Sequence, residues 1–429
     1  MKIKNFKRLA KTDLRVKALE IANAGLEAVD TGRIIKNSIK ILPHKLIVKN
    51  REFPLQKVKR IFVVGVGKCA IDACANLEKI LGGRLTGGIA IGLTKTAKLK
   101  KIKAFQGTHP LPSPENVRAT EEIIKLLTSL KKDDLVIFVI SGGGSTLLCA
   151  PAGAGYLQEG KILKDLYSQG ADIKQINTVR KHLSYARGGF LAQYAYPASA
   201  VSLIFSDVAG DPLGFIASGP TVRDITTRKA ARAILNKYHV LQHCGFSSLL
   251  LIETPKETKY FKNVQNILLG SNKIALSAMK EIAQSLGFGA KIVTNVLRGE
   301  AARAGADICR LLSAAHAGSA LLYGGETSVA TGKTRGKGGR NQELVLAAVD
   351  LVANGQIILA VSSDGWDNTE YAGALCDIMT KEEARKKHLS IKKYLAEHDS
   401  FSFFKKTGDY LLTGRLGSNV ADLIVAVKN

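Results

Sequence analysis

The sequence lacks the features of a membrane-spanning or secreted protein. No uninterrupted apolar run is long enough to cross a bilayer. Residues 1–29 are basic but have no apolar core of the kind that signal peptides carry. They include Asp13 and Glu20 and contain no serine, which disfavours an organelle transit peptide. The sequence therefore predicts a cytoplasmic protein without a membrane partner.

The six cysteines lack the spacing of a disulfide framework or a zinc site. They lie far apart along the chain and form no C-x-x-C pair. Several stand in apolar segments, where a thiol packs as a small hydrophobic group. The pattern predicts buried free thiols in a reducing compartment.

Acidic residues are scarce relative to basic ones. There are 36 Asp and Glu against 62 Lys and Arg, for a formal net charge of +26. Nucleic-acid binding, attraction of small anionic substrates or an unusual intracellular environment would each account for this excess. The basic residues form no long run and accompany no recognisable nucleic-acid motif. A generally basic surface without a nucleic-acid partner is therefore favoured.

Alternating strand and helix patterns make up most of what the sequence does contain. Short apolar runs rich in β-branched residues alternate with helical spacing, which is typical of a parallel sheet covered on both faces. The chain of 429 residues is 46% hydrophobic and is long enough for two domains. The weakly periodic stretch 245–263 is the expected passage between them, and a cleft between the domains is the expected site.

The stretch Leu135–Leu148, LVIFVISGGGSTLL, is the strongest local signal. A strand buried on both faces runs into the Ser-Gly-Gly-Gly-Ser turn of residues 141–145, and a helical stretch begins near Thr146. Adjacent glycines let backbone N–H groups converge, and a helix start adds unpaired donors. The turn suits a phosphate or carboxylate, or it is a tight turn that binds nothing. Two further glycine-rich turns that carry a cation, at 65–68 and 336–340, favour a phosphate-handling enzyme.

The segment Gly65-Val66-Gly67-Lys68-Cys69-Ala70 follows a strand and fits the looser dinucleotide pattern G-x-G-x-x-A. The acidic residue that would hold a ribose is absent after the next strand, although Lys95 could meet an NADP phosphate there. The spacing is not that of a P-loop. Lys68 stands where a helix begins, and the positive end of the helix dipole disfavours a cation there. A lysine at this position therefore indicates an anionic partner, or it is a solvated lysine.

Two pairs of aspartates follow buried strands. Asp207 and Asp211 lie in SDVAGDP, and Asp364 and Asp367 lie in SSDGWDN. Acids at the carboxyl ends of strands could bind Mg²⁺ or accept a hydroxyl proton. Asx-turns and helix caps explain the same residues equally well.

A basic, glycine-rich loop spans residues 324–339 and ends on a helix start at Arg340. Such a loop suits a polyphosphate, with bidentate contacts from Arg340. A plain basic surface loop is the alternative. His109 and the stretch 177–182 could also face a cleft, but each alone is more consistent with a structural role. The other charged residues of the loop are Glu326, Lys333, Arg335 and Lys337.

Together and in order, these segments resemble the glycerate kinases of the MOFRL type, which phosphorylate D-glycerate with ATP. The resemblance runs through nearly the whole chain. Its markers are VGVGKCA, THPLPSPE, ISGGGSTLL, INTVRKHLS, FSDVAGDPLGFIASGPT, ILLGSN, YGGETSV, GGRNQEL, SSDGWDNTEYAGA and GRLGSNVADL. The chain departs from the family at Cys69, Arg187 and Asn368, where the family often has alanine, lysine and glycine. The change at Asn368 weakens a metal or hinge role for that loop.

The resemblance implies a two-domain α/β fold with the active site in the cleft. A larger Rossmann-like domain with a mostly parallel sheet is expected over residues 1–250, and a smaller α/β MOFRL domain over 251–429. The family's functional lysine and arginine fall on Lys68 and Arg340. The expected partners are D-glycerate and ATP, and the chain is expected to be a monomer or small homo-oligomer.

The expected reaction is ATP-dependent phosphorylation of D-glycerate to 2-phosphoglycerate with Mg²⁺. Lys68 and Arg340 would offset the charge of the transferring phosphoryl, and replacing either by alanine is expected to abolish turnover and leave the fold intact. Asp207 would orient the hydroxyl or hold Mg²⁺ with Asp211. The candidate substrate- or phosphate-binding residues are Ser141, Gly142, Gly143, Gly144, Ser145, Glu326, Lys337 and Asn341. An NADP-dependent hydroxypyruvate reductase and, on charge alone, a nucleic-acid-binding protein are the alternatives.

Overall fold

The computed structural model describes residues 1–94, 98–153, 155–208, 210–330, 336–418 and 420–429. The chain forms two compact units. The first unit comprises residues 34–269, and the second unit comprises residues 1–33 together with 270–429. Among the described residues, no helix combines the length and apolarity needed to cross a membrane.

The first unit is built around a six-stranded sheet with strand order β6-β5-β4-β7-β8-β9. Strands β4 to β8 pair in parallel. The two central strands β4 and β7 are buried along almost their whole length, as expected for a sheet covered on both faces. The strands are β4 (Arg60–Val66), β5 (Leu85–Gly92), β6 (Ile102–Gln106), β7 (Asp134–Ile140), β8 (Ser199–Phe205) and β9 (Val264–Gly270).

Helices pack on this sheet, and a small antiparallel sheet of three strands precedes it. Helical spacing in the sequence runs from about Leu9 to Leu42 and predicts helix up to that residue, but Ile39–Ile41 pairs with Lys45–Val48 as a strand. The three strands are β1 (Ile39–Ile41), β2 (Lys45–Val48) and β3 (Arg51–Pro54). The helices of this unit are α4 (Ala70–Leu81), α5 (Pro114–Thr128), α6 (Gly144–Leu147), α7 (Tyr156–Ser168), α8 (Ile173–His182), α9 (Phe190–Ala195), α10 (Arg228–Lys237) and α11 (Val240–Cys244).

The second unit contains a mixed six-stranded sheet with strand order β10-β11-β15-β12-β13-β14. Within this sheet, only β10 and β11 pair in parallel among the described residues. The strands are β10 (Gly289–Leu297), β11 (Ser319–Gly325), β12 (Gln356–Ser362), β13 (Gly373–Asp377), β14 (Tyr410–Leu411) and β15 (Asp422–Lys428). The helices are α1 (Phe6–Leu9), α2 (Asp13–Ala28), α12 (Asn272–Ser285), α13 (Ala301–Ala314), α14 (Arg340–Ala348), α15 (Ile378–Lys386), α16 (Ile391–Ala396) and α17 (Ser400–Thr407). The boundary between the two units along the chain falls within α3 (Thr31–Ser38).

The first 33 residues pack with the C-terminal part of the chain, which differs from the predicted division at residue 250. The fully buried Arg15 of α2 explains this placement. Its guanidinium donates to Asp377 at 2.6 Å and to Asp409 at 2.7 Å, both in the second unit. A buried cation needs such partners because an unpaired charge is costly to bury. The α/β class and the mostly parallel first sheet are confirmed.

Candidate active site

Two glycine turns meet at the carboxyl edge of the first unit's sheet. Strands β4 and β7 pair in register up to Val66 and Ile140, so the chain leaves both strands at the same level. The Lys68 N–H donates to the carbonyl of Gly142 at 2.8 Å. Gly67 has φ 125° and packs so closely on Ser141 that a Cβ there would collide with its backbone and hydroxyl. The structure thus brings Lys68 next to the predicted glycine turn.

Within that turn, the five predicted residues have different surroundings. Ser141 is fully buried, and its Oγ accepts the Cys69 N–H at 3.3 Å. Gly144 packs against Ala217, where a Cβ would lie 2.5 Å from the alanine methyl. These two residues hold the turn together, whereas Gly142, Gly143 and Ser145 line a pocket. The predicted helix after the turn is the single turn α6, so its dipole adds little to anion binding.

Gly143 allows two cationic or polar side chains to approach the turn. It has φ 78°, and a Cβ there would lie 3.1 Å from Cγ of Lys68 and 3.5 Å from Cδ2 of His109. The lysine side chain and the imidazole therefore both lie close to the position that a Cβ would occupy. A larger residue would displace one or both of them.

The pocket has a volume of about 580 Å³ and belongs entirely to the first unit. Its walls are largely apolar and come from the His109–Pro112 loop, helices α7 and α8 and the segment after β8. Polar side chains reach it from Ser145, Asn177, Arg180 and Asp207. A mostly apolar concavity with a few converging polar groups is the usual form of a small-molecule site.

Arg180 lines the pocket, although the stretch 177–182 was interpreted from the sequence as more consistent with a structural role. It belongs to the basic triplet Arg180-Lys181-His182 at the end of α8. Lys181 forms an ion pair with Asp224 at 3.0 Å, and His182 bonds to the carbonyl of Ile252 at 2.7 Å. The available signal was helical spacing, because Asn177 and Arg180 are three apart and share a face.

A chain of hydrogen bonds positions Ser145 at the pocket wall. Its Oγ lies 2.9 Å from Oγ of Ser218, which donates to Oδ1 of Asn177 at 2.9 Å. Ser218 and Ala217 both adopt positive φ, at 59° and 50°. This left-handed backbone turns the Ser218 hydroxyl between the glycine turn and α8.

His109 lies in this pocket as a neutral imidazole. Burial, with the nearby charges of Lys68 and Arg180, lowers the pKa of His109 to about 4. Both cations disfavour a further positive charge on the ring. At neutral pH the imidazole can therefore exchange hydrogen bonds with a ligand but does not add charge to the site.

The two predicted metal ligands differ in position. Asp207 lines the pocket. Asp211 lies beyond it in the turn after β8, with φ 58°. Within the described part of the chain, no three His, Cys, Asp or Glu side chains are grouped as a metal site. Mg²⁺ is commonly held by one or two carboxylates together with substrate phosphates, and Asp207 fits that mode.

In the second unit, Arg340 begins helix α14 and is already engaged with acidic side chains. Its Nη2 donates to Oδ1 of Asp422 at 3.1 Å and to Oε1 of Glu326 at 2.8 Å. Burial alone would lower the pKa of Arg340, but the charges of Asp422 and Glu326 raise it. The predicted site residues Arg340 and Glu326 are therefore bonded to each other.

Asn341 is buried and stabilises the helix start. Its N–H and Nδ2 both donate to Oδ1 of Asp367 at 3.1 Å, and the Gln342 N–H donates to Oδ2 at 2.9 Å. Asp367 thus caps α14, as the helix-cap interpretation predicted. Burial and the charge of Asp422 raise the pKa of Asp367 to about 6. The Asn341 amide therefore donates within the fold, to the carboxylate that also accepts from the helix start.

The other predicted residues of the second unit have local partners. The Lys337 N–H donates to Asp399 at 3.1 Å, and its ammonium lies 5.1 Å from the Phe401 ring centre. Asp364 accepts from the Trp366 N–H at 2.9 Å, which is the predicted Asx-turn. The Asn368 amide, with φ 57° at that residue, donates to the carbonyl of Gly338 at 3.0 Å. Lys95, Lys333 and Arg335 lie outside the described residues.

Comparisons with known proteins agree with the resemblance drawn from the motifs. Residues 17–247 match a domain of unknown function, DUF4147, and residues 319–422 match the MOFRL family. Glycerate 2-kinase from Pyrococcus horikoshii is 36% identical, over 97% of this chain and 97% of the relative. A crystal structure of glycerate kinase from Thermotoga maritima has a TM-score of 0.85 and 32% identity, over 96% of this chain and 99% of that chain.

A relative from Agrobacterium vitis is provisionally named a hydroxypyruvate reductase. It is 35% identical over 91% of this chain and 92% of the relative. The two names attached to relatives therefore match the leading and the alternative interpretation of the sequence. The domain order, the motifs and the full-length similarity together show that this chain belongs to the glycerate kinase family of the MOFRL type.

Proposed function

We propose that this protein catalyses ATP-dependent phosphorylation of D-glycerate. The observation that carries the proposal is the junction of Lys68 with the glycine turn at the ends of β4 and β7, beside a pocket that also contains Arg180. A cation next to converging backbone donors suits the charge that phosphoryl transfer must offset. The relatives named glycerate kinase support the same reaction.

In the proposed step, a glycerate hydroxyl oxygen attacks the γ-phosphorus of ATP and the bond to ADP breaks. Lys68 offsets the charge on the transferring oxygens, and the Gly142–Gly143 backbone faces the same end of the pocket. Asp207 orients the attacking hydroxyl and accepts its proton, or holds Mg²⁺ together with the nucleotide phosphates. Bound Mg²⁺ would supply further neutralisation of the phosphate charge. Arg340 of the second unit is proposed to act on the same phosphoryl group.

The finer parts of the proposal concern the product and the setting. We infer 2-phosphoglycerate as the product, because the P. horikoshii relative is named a glycerate 2-kinase. We also propose a cytoplasmic enzyme that acts as a monomer or small homo-oligomer and binds no nucleic acid. The statements on compartment, oligomeric state and nucleic acid rest on the sequence.

Incubation with ATP, Mg²⁺ and D-glycerate tests the reaction and its position. We expect ADP to form only when D-glycerate is present, and the proton-coupled ³¹P spectrum of the product to show the doublet of a phosphate on the C2 oxygen. L-glycerate and a reaction without nucleotide are the controls. A triplet from a phosphate on C3 would overturn the 2-kinase assignment, and no glycerate-dependent ADP would overturn the kinase.

NADP-dependent hydroxypyruvate reduction is the second candidate. The G-x-G-x-x-A turn after β4 and the A. vitis relative favour it. In the structure, however, Gly67 packs on Ser141, where a Cβ would not fit. The contact between the two turns therefore explains this glycine without a bound dinucleotide. NADPH oxidation with hydroxypyruvate, measured on the same preparation as the kinase assay, separates the two functions.

The neutral His109 predicts how substrate affinity depends on pH. Because its pKa is lowered to about 4, the imidazole gains charge only when the pH falls well below 6. We therefore expect the Kd of D-glycerate, measured by calorimetry without nucleotide, to be flat between about pH 5.5 and 7.5. An unshifted histidine would instead tighten binding of the anion on acidification through about pH 6.5. NMR titration of the ring, assigned with His109→Gln, checks the pKa directly.

A further inference from the structure

Arg180 carries a positive charge that the fold does not neutralise. Of the basic triplet on α8, Lys181 and His182 are bonded within the first unit, to Asp224 and to the Ile252 carbonyl. Arg180 instead lines the pocket. No carboxylate of the described residues lies within ion-pair distance of its guanidinium.

The acid whose charge acts on Arg180 is already paired through one oxygen with another arginine. Glu159, also in the pocket wall, bonds through Oε1 to Nη1 of Arg187 at 2.6 Å. Arg187 is fully buried and also donates to the carbonyls of Leu148 and Arg180. Among the charged side chains that line the pocket, Lys164 and Arg180 balance Glu159 and Asp207, and the buried Arg187 beside them adds one further positive charge.

The Arg180 guanidinium is only partly bonded. Its Nε is buried and has no hydrogen-bond partner among the described residues, although the nearby Tyr167 favours the charged form of the group. Burial, followed by the like charge of Arg187, lowers the pKa of Arg180. A buried N–H without an acceptor is costly unless a ligand supplies one. Both the missing acceptor and the excess charge point to an anion.

The surroundings favour a small organic acid over a polyphosphate at this position. Leu163, Ile173 and Phe215 contribute apolar walls, and Ser145 and Asn177 contribute a hydroxyl and an amide. A hydroxy acid offers the matching groups, because its carboxylate fits the planar guanidinium fork and its hydroxyls pair with neutral polar side chains. The phosphates of a nucleotide have a separate candidate cation in Lys68, at the glycine turn.

We propose that Arg180 binds the carboxylate of the acceptor and so makes the pocket selective for short 2-hydroxy acids over uncharged polyols. This inference rests on the proposed function, since it assigns the acceptor part of the same site. Arg180 is then a specificity-determining residue in contact with substrate. Ser145, held by Ser218 and Asn177, would face the hydroxyl-bearing end of the acid.

Steady-state kinetics of Arg180→Met and Arg180→Lys test the assignment. Charged hydrogen bonds to one group are typically strong enough that Arg180→Met should raise the KM for D-glycerate by about 10- to 100-fold. The KM for ATP should change by less than about threefold, and the preference for D-glycerate over glycerol should fall in parallel. Arg180→Lys should recover part of the affinity, because it restores charge but not the planar fork.

Lys174→Met is the matched control, because Lys174 lies on the same helix and is exposed. It removes one positive charge from α8 without touching the pocket, and its KM values should equal those of the unmodified protein. Near-ultraviolet circular dichroism establishes that each variant is folded. If Arg180→Met does not fold, the KM shift in Arg180→Lys decides the question.

Calorimetric binding of D-glycerate without nucleotide separates this inference from the proposed reaction. If the unmodified protein binds D-glycerate but shows no kinase turnover, and Arg180→Met abolishes binding, the kinase proposal fails and the carboxylate site stands. An unchanged Kd in Arg180→Met overturns the carboxylate site whatever the turnover. A raised KM for ATP with an unchanged KM for D-glycerate also overturns it and assigns Arg180 to the nucleotide. No binding and no turnover in the unmodified protein would overturn both.

Discussion

Lys68→Ala is expected to lower kcat for glycerate phosphorylation by about 10²- to 10³-fold, the usual effect of removing one group that stabilises transition-state charge. The lysine side chain lies against Gly143, at the end of the pocket where two glycine turns meet. Its loss removes positive charge at that point and leaves the turn itself in place, because the bond between the Lys68 N–H and Gly142 is made by the backbone. The KM for D-glycerate should change much less than kcat.

Lys79→Ala provides the control for Lys68, since Lys79 lies exposed on the helix that follows it. Its kcat should equal that of the unmodified protein, and thermal unfolding should be the same for both variants. Lys68→Arg should retain part of the rate, because charge is kept but the geometry changes. A Lys68→Ala enzyme with kcat within about threefold of normal would remove this residue from the mechanism.

Arg340→Ala is expected to lower both turnover and stability. Sequence interpretation alone predicted an intact fold, but Asp422 is only 2% exposed and loses its cation in this variant. Breaking a buried pair from one side typically costs about 3–5 kcal/mol. The Arg340 side chain is 32% exposed to solvent. We therefore expect a free energy of unfolding about 3 kcal/mol lower, at the lower end of that range, measured by urea denaturation.

The double variant Arg340→Ala/Asp422→Asn separates the two effects. Asparagine removes the unpaired buried charge, so much of the stability should return, whereas kcat should stay about 10²-fold or more below normal. Asp422→Asn alone is the reference for the double-variant cycle. Recovery of activity together with stability would mean that Arg340 is a structural residue and has no part in the chemistry.

Sequence periodicity predicted the elements that a buried parallel sheet requires. The strand predicted before the Ser-Gly-Gly-Gly-Ser turn is confirmed as β7 (Asp134–Ile140), because an unbroken apolar run is a local signal. The short strands between Ile39 and Pro54 were missed, because their pairing depends on contacts between segments. Propensity over so few residues does not determine such pairing.

Within the site, the sequence placed residues at strand ends but did not show which way side chains face. Lys68 and the glycine turn were each predicted to follow a strand, and the parallel pairing of β4 with β7 brings them together at one sheet edge. Asn341 was predicted as a binding residue, yet Asp367 holds its side chain inside the fold. The stretch 177–182 was interpreted as structural as a whole, and only the structure separates Arg180, which lines the pocket, from Lys181 and His182, which are bonded within the fold.

The buried ion pairs of Arg15 with Asp377 and Asp409 affect the order in which the chain can fold during its synthesis. Helix α2 precedes its acidic partners by more than 300 residues, so it leaves the ribosome well before they do. The unit of residues 34–269 has its own complete sheet and can fold in the meantime, since domains generally fold as they are synthesised. Helix α2 therefore has no acidic partners until the C-terminal part of the chain has been synthesised. Deleting this helix would destabilise the second unit, which is completed last, rather than the first unit.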